Sequence, residues 1–183
     1  MKTNVVSFLM AVILSACSTV GHTGIPTNTP EPDIRKIPMF LDVSRYSEVL
    51  DSFGSSSLVA HFPKKIPPEA TKVRFAYQPR IMQGAMFLEL LMTLPESQIE
   101  ELWIQYSGLP KYKFKGYKTI KDIPEPILYL IRDQNHQINR QFSIFFINTQ
   151  PAAKDDFPWN HGTMYGVGLN KMDLEVVYWL QYW

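Results

Sequence analysis

The sequence has 183 residues, of which 18 are Lys or Arg and 17 are Asp or Glu, so its formal net charge is +1. A charge this close to zero argues against a nucleic acid as a partner, because such binding depends on neutralising phosphates. The single cysteine excludes an internal disulfide bond.

The first 16 residues have the three-part layout of a secretory signal peptide. Lys2 provides a short positive start, and an apolar segment of ten residues follows it at 5–14. The small residues Ser15 and Ala16 come next. A membrane-spanning helix needs about 20 apolar residues, so this segment is too short to remain as an anchor. We therefore expect residues 1–16 to be removed on export.

Leu14, Ser15, Ala16 and Cys17 come directly after the apolar segment. This motif resembles the lipobox of bacterial lipoproteins at every position. The resemblance implies that the Cys17 thiol receives a diacylglycerol, that cleavage occurs between Ala16 and Cys17, and that lipid holds the protein in a cell membrane. Ser18 implies the outer membrane if the host is an enteric bacterium. The alternative is an ordinary secreted protein that is cut after Ala16 and carries a free thiol.

Residues 17–38 are rich in Pro, Thr and Gly and have no apolar period. This composition predicts a solvated tether that starts at the lipidated cysteine. Alternatively, part of the tether packs on the domain as an irregular arm. Loss of the signal peptide removes Lys2 and no acidic residue, which leaves 17 basic and 17 acidic side chains. Residues 39–183 suit a single globular domain.

Two amphipathic helices are predicted in this domain. Ser44 can cap the first helix and Gly54 can end it. Pro95 lies in the first turn of the second helix, which Gly108 closes. The apolar stripes consist of Tyr46, Val49, Leu50 and Phe53 in the first helix, and of Ile99, Leu102, Trp103 and Tyr106 in the second.

The rest of the domain contains β-rich runs, of which the first two and the last two are predicted hairpins. No proline follows Pro158, as the central strands of a sheet require. Hairpin-length connections argue against a parallel sheet. The predicted fold class is therefore α+β, with a mostly antiparallel sheet and about two helices. The runs lie at 72–77, 88–92, 127–131, 142–147, 163–169 and 174–183.

Neither the histidines nor the serines form a recognisable catalytic or metal-binding motif. His22, His61, His136 and His161 lack the spacing of a zinc motif, and no serine lies in a G-x-S-x-G sequence. We interpret the domain histidines as core or turn residues. No catalytic residue, metal site or cofactor is predicted.

A lysine-rich segment that starts at Lys111 interleaves basic and aromatic side chains. On a strand, Lys111, Lys113 and Lys115 would share one face, and Tyr112 and Phe114 would share the other. One interpretation is an edge strand whose lysines prevent aggregation between sheets. The other is a basic patch that binds lipid headgroups, lipopolysaccharide or an acidic partner.

The C-terminal region is dense in aromatic residues. The last strand has apolar side chains on both faces, which predicts that it is covered on both sides and belongs to the core. The alternative is a partly exposed surface of Trp and Tyr side chains that contacts a protein or a glycan. The aromatic residues are Trp159, Tyr165, Tyr178, Trp179, Tyr182 and Trp183.

These features together predict an exported, lipid-anchored binding module of the bacterial cell envelope that performs no catalysis. Its partners would be a membrane, reached through the N-terminal lipid, and a protein at the envelope. An inhibitor or immunity lipoprotein is one version, which rests on an analogy of size and location. An accessory structural subunit of an envelope complex, or a hydrolase with an unrecognised site, are the alternatives.

Overall fold

The computed structural model describes residues 39–80, 84–112, 125–133, 135–151 and 161–183. The signal peptide, Cys17 and the tether therefore lie outside the described residues. Within the described ranges the chain forms two α-helices, three short 3-10 turns and one five-stranded sheet. The helices are α1 (Tyr46–Ser52) and α2 (Glu96–Tyr106), and the strands are β1 (Thr71–Gln78), β2 (Met86–Thr93), β3 (Ser143–Pro151), β4 (Gly162–Asn170) and β5 (Glu175–Tyr182).

The strands lie in the order β1-β2-β5-β4-β3, and every pair of neighbours is antiparallel. The predicted pairings of β1 with β2 and of β4 with β5 are present. The three inner strands contain no proline, so that each can form ladders on both sides. The prediction of an α+β fold with a mostly antiparallel sheet is confirmed.

Both α-helices pack on one face of this sheet, because their apolar stripes face it. Val49 of α1 and Ile99 of α2 are buried there. The predicted cap at Ser44 is wrong, since Asp42 instead accepts a hydrogen bond from the Ser44 amide at 2.9 Å. That bond opens a 3-10 turn at Val43–Arg45, and α1 begins only after it.

The opposite face of the sheet is covered by an irregular segment, of which the structure describes residues 125–133 and 135–142. The prediction of a strand at 127–131 is wrong, because a 3-10 turn, Tyr129–Ile131, occupies this place. Leu130 and Ile131 of this turn are nevertheless buried in the core, as their apolar character predicts, whereas Tyr129 is exposed. The second core cluster joins Leu128, Leu130, Ile131, Ile138 and Phe142 to Ile144, Phe146, Val177 and Trp179 of the sheet.

The middle of β4 lies unusually close to its neighbours. A Cβ atom at Gly166 would collide with the backbone carbonyl of Phe145 and would lie 3.0 Å from the Trp179 ring. Gly166 pairs with Phe146, and the register of β3 against β4 shifts directly after this pair, between Phe146 and Asn148. The glycine therefore allows close packing within the sheet, as expected for a strand glycine.

Candidate functional site

Trp183, one of the predicted binding residues, lines a cleft of about 260 Å³ at the end of the sheet. Its backbone pairs with Gly162 through two hydrogen bonds of 3.2 Å. A Cβ atom at Gly162 would lie only 2.7 Å from the indole, so the ring packs directly over the glycine. The other side chains that line the cleft are Arg80, Gln150, His161, Thr163 and Tyr182.

This cleft combines aromatic surface with polar side chains that can both donate and accept hydrogen bonds. The guanidinium of Arg80 lies 5.6 Å from the centre of the Tyr182 ring. Arg80 and His161 are exposed, whereas Trp183 and Tyr182 are half-buried. Such a surface suits a polar partner with some apolar area, because aromatic rings and Arg dominate many interface hot spots.

The other aromatic residues of the C-terminal cluster belong mainly to the core. Trp179 is completely buried, and Tyr165 and Tyr178 are nearly so. The prediction that β5 is covered on both faces is confirmed, since Tyr178 and Trp179 lie in the two different core clusters. Trp159, which was also predicted as a binding residue, lies outside the described residues.

The lysine-rich segment begins beside the edge of β3. Lys111 forms a bridge with Phe145, and the Tyr112 amide donates a hydrogen bond of 2.8 Å to the Ile144 carbonyl. This is the position that the edge-strand interpretation predicts for residues 111 and 112. Lys113, Phe114 and Lys115 lie outside the described residues, so their predicted binding role stays a prediction.

His61 is a structural residue of the helical side of the core. Its Nε2 atom lies 3.1 Å from the Trp179 carbonyl oxygen, and its ring stacks on Tyr165 at 5.2 Å. Burial lowers the pKa of the imidazole to about 4, against the opposing effect of hydrogen bonds to the backbone. The interpretation of this histidine as a core residue fits its surroundings. Among the described residues, no group of three His, Cys, Asp or Glu side chains could hold a metal ion.

Two polar side chains of the sheet are fully buried and hold the irregular segment on its face. The Glu89 carboxylate accepts hydrogen bonds from the amides of Tyr129 and Leu130, at 2.7 and 2.9 Å. Gln181 accepts a third from the Ile127 amide at 2.6 Å. We name Glu89 and Gln181 the buried clamp. It satisfies backbone groups that the irregular chain cannot pair within itself.

Burial raises the pKa of Glu89 to about 7. The hydrogen bonds from the Leu130 and Tyr129 amides, and the charges of Arg132 and Arg74, oppose this rise. Because both carboxylate oxygens accept N–H groups, the geometry itself favours the ionised form. The two arginines thus supply the positive charge that helps to retain a carboxylate in the core.

Leu130, whose amide donates to Glu89, also lines an open cavity of about 290 Å³, which we name the arginine cavity. Arg74, Arg132 and Arg140 line it, together with the carboxylates of Asp133 and Glu175. Arg74 is exposed and donates one hydrogen bond of 2.8 Å, to the Leu130 carbonyl. Arginine side chains from a strand and from the irregular segment therefore converge on one solvent-accessible space.

Sequence reasoning missed both the buried clamp and the arginine cavity. A weak signal for the clamp existed, because Glu89 is the one charged residue within the apolar run 86–92. The arginine cavity had no local signal. Arg74 and Arg140 are far apart along the chain and meet only after the irregular segment has folded over the sheet.

Comparisons with protein-family models, with curated proteins and with solved structures found no match for this chain. In the part of the chain that the structure describes, neither helix has the length and apolar character needed to cross a bilayer.

Proposed function

We propose that this protein is a bacterial lipoprotein of the cell envelope whose folded domain binds a partner without catalysing a reaction. The observation that carries the proposal is the lipobox Leu14-Ser15-Ala16-Cys17 directly behind an apolar segment of signal-peptide length. The sole cysteine of the chain stands where the acyl groups would be attached.

The energetics of lipid insertion support anchoring at Cys17. Each buried methylene group contributes about 0.8 kcal/mol, and a single acyl chain gives only marginal binding. The two or three long chains that the resemblance implies would make desorption negligible. The protein would then stay at the membrane without a spanning helix.

The surface of the domain supports a binding role. The C-terminal cleft places Trp183 beside polar side chains, and the arginine cavity exposes cationic groups. By contrast, His61 and Glu89, whose pKa values are strongly shifted, hydrogen-bond to the backbone and hold the fold together. These residues have structural tasks that explain their burial.

Replacement of the acylated residue tests the anchor. We expect Cys17→Ser to leave the membrane fraction or to accumulate as the unprocessed precursor, because a hydroxyl cannot take the place of the thiol in lipidation. The measurement is fractionation of cells followed by immunoblotting. Ser18→Ala is the matched control and should remain in the membrane. A Cys17→Ser variant that is still anchored and cut at the same place would contradict the proposal.

A further inference from the structure

The arginine cavity contains guanidinium N–H groups that form no hydrogen bond with the described residues. Among the described residues, Arg140 has no hydrogen bond or ion pair, and its side chain is exposed. Arg74 donates one hydrogen bond to the Leu130 carbonyl and has no carboxylate within ion-pair distance in the described part of the chain. Both can therefore direct donors at a ligand.

Arg132 has a different part in the cavity. Its guanidinium donates to the carbonyls of His136 and of Pro126, the latter at 3.3 Å, and lies 3.6 Å from a carboxylate oxygen of Glu125. These bonds fix the side chain in place. It contributes a stationary positive charge to the cavity wall, while Arg74 and Arg140 can adjust to a ligand.

The two carboxylates of the cavity are not equivalent. One oxygen of Asp133 accepts the amides of Asn135 and Gln137, at 2.8 and 2.9 Å, so this residue shapes the wall. Glu175 has no hydrogen bond within the described residues, and burial raises the pKa of its carboxyl group. Three positive and two negative side chains leave a net charge of +1. An added anion would relieve the repulsion among the guanidinium groups.

From this geometry we infer that the arginine cavity binds an oxyanion, a phosphate or a carboxylate, through Arg74 and Arg140, with Arg132 as a fixed charge. Guanidinium groups match the geometry of such oxygens and bind them through paired hydrogen bonds. A cavity of about 290 Å³ has room for a small anion or for the anionic end of a larger partner. The inference deepens the proposed binding function and does not depend on the lipid anchor, so either can fail alone.

The test is isothermal titration of the mature protein, purified in a neutral detergent from whichever cell fraction contains it. The probes are inorganic phosphate, succinate, and succinamide as an uncharged analogue of the same size. We expect saturable binding of phosphate or succinate that weakens with added NaCl, and no binding of succinamide. The probe that binds more tightly identifies the source of the oxyanion as phosphate or carboxylate. No saturable binding of either anion would overturn the inference.

Three variants locate the site. Arg140→Gln should bind about tenfold more weakly, because it loses a charge-assisted hydrogen bond. Glu175→Gln should bind roughly threefold more tightly, because it removes a repelling carboxylate. A gain of affinity cannot arise from misfolding, so this variant tests the site independently of stability.

Lys65→Gln is the matched control, since it removes one positive charge from an exposed position that lines neither the arginine cavity nor the cleft at Trp183. It should leave the affinity unchanged. Equal weakening by Lys65→Gln and Arg140→Gln would show that only the overall charge matters and would overturn the assignment to the arginine cavity. Unchanged affinity in both Arg140→Gln and Glu175→Gln would overturn it as well.

Discussion

Glu89 is fully buried and His61 is partly buried, and their pKa values shift in opposite directions. Burial raises the pKa of Glu89 to about 7 and lowers that of His61 to about 4. The folded protein therefore binds more protons at Glu89, and fewer at His61, than the unfolded chain does. By linkage, the Glu89 contribution to stability falls as the pH rises from about 4.5 to 7, whereas the His61 contribution falls as the pH drops from about 6.5 to 4.

Glu89→Gln should destabilise the protein, because an amide group replaces one of the two oxygens that accept backbone N–H groups. We expect a loss of about 1–3 kcal/mol in the free energy of unfolding. The loss should be larger at pH 5 than at pH 7.5, since the variant lacks the stabilisation that Glu89 gains by binding a proton. Urea unfolding at the two pH values measures both effects.

His61→Phe tests the pKa shift of His61, and its effect on the pH dependence of stability should be opposite in sign to that of Glu89→Gln. A phenyl ring can retain the stacking on Tyr165 but does not titrate. Lowering the pH from 7 to 5 should therefore change the free energy of unfolding of this variant more favourably than that of the wild-type protein, which loses the His61 contribution over this interval. If both variants showed the same dependence on pH as the wild-type protein, the two shifted pKa values would be refuted.

At the scale of elements, the strand hairpins were predictable and the irregular segment was not. Alternating side chains and short turns identified the pairings of β1 with β2 and of β4 with β5. Residues 127–131 have the composition of a strand, yet their amides bond to Glu89 and Gln181, which lie 40 and more positions away. Local patterns do not reveal such partners, and the arginine cavity, which depends on the same segment, was unpredictable for the same reason.

The close packing of β3 against β4 has its own test. Gly166→Ala should lower the free energy of unfolding by about 1–3 kcal/mol or more, because the added methyl group meets the Phe145 carbonyl in the interior of the sheet. Gly108→Ala is the control, since a Cβ atom there meets nothing within 4 Å. It should leave stability unchanged or raise it slightly. Thermal unfolding of both variants measures the difference, and equal effects would contradict the account of this glycine.

At the scale of the whole molecule, the sheet lies between two different coverings. α1 and α2 cover one face mainly through apolar contacts. The irregular segment covers the other face and is held there partly by the hydrogen bonds of the buried clamp. The first covering follows from helical periodicity and was predicted. The second needs polar anchors and leaves the open arginine cavity, which is where we expect an anionic group to bind.

The proposed location at a membrane depends on the acylation that we propose for Cys17, and intact-mass spectrometry of the protein purified from native cells tests this most directly. We predict a species that begins at Cys17 and carries the additional mass of a diacylglycerol, with or without a further acyl chain. A species that begins at Met1, or one that begins at Cys17 without added hydrocarbon, would contradict the account.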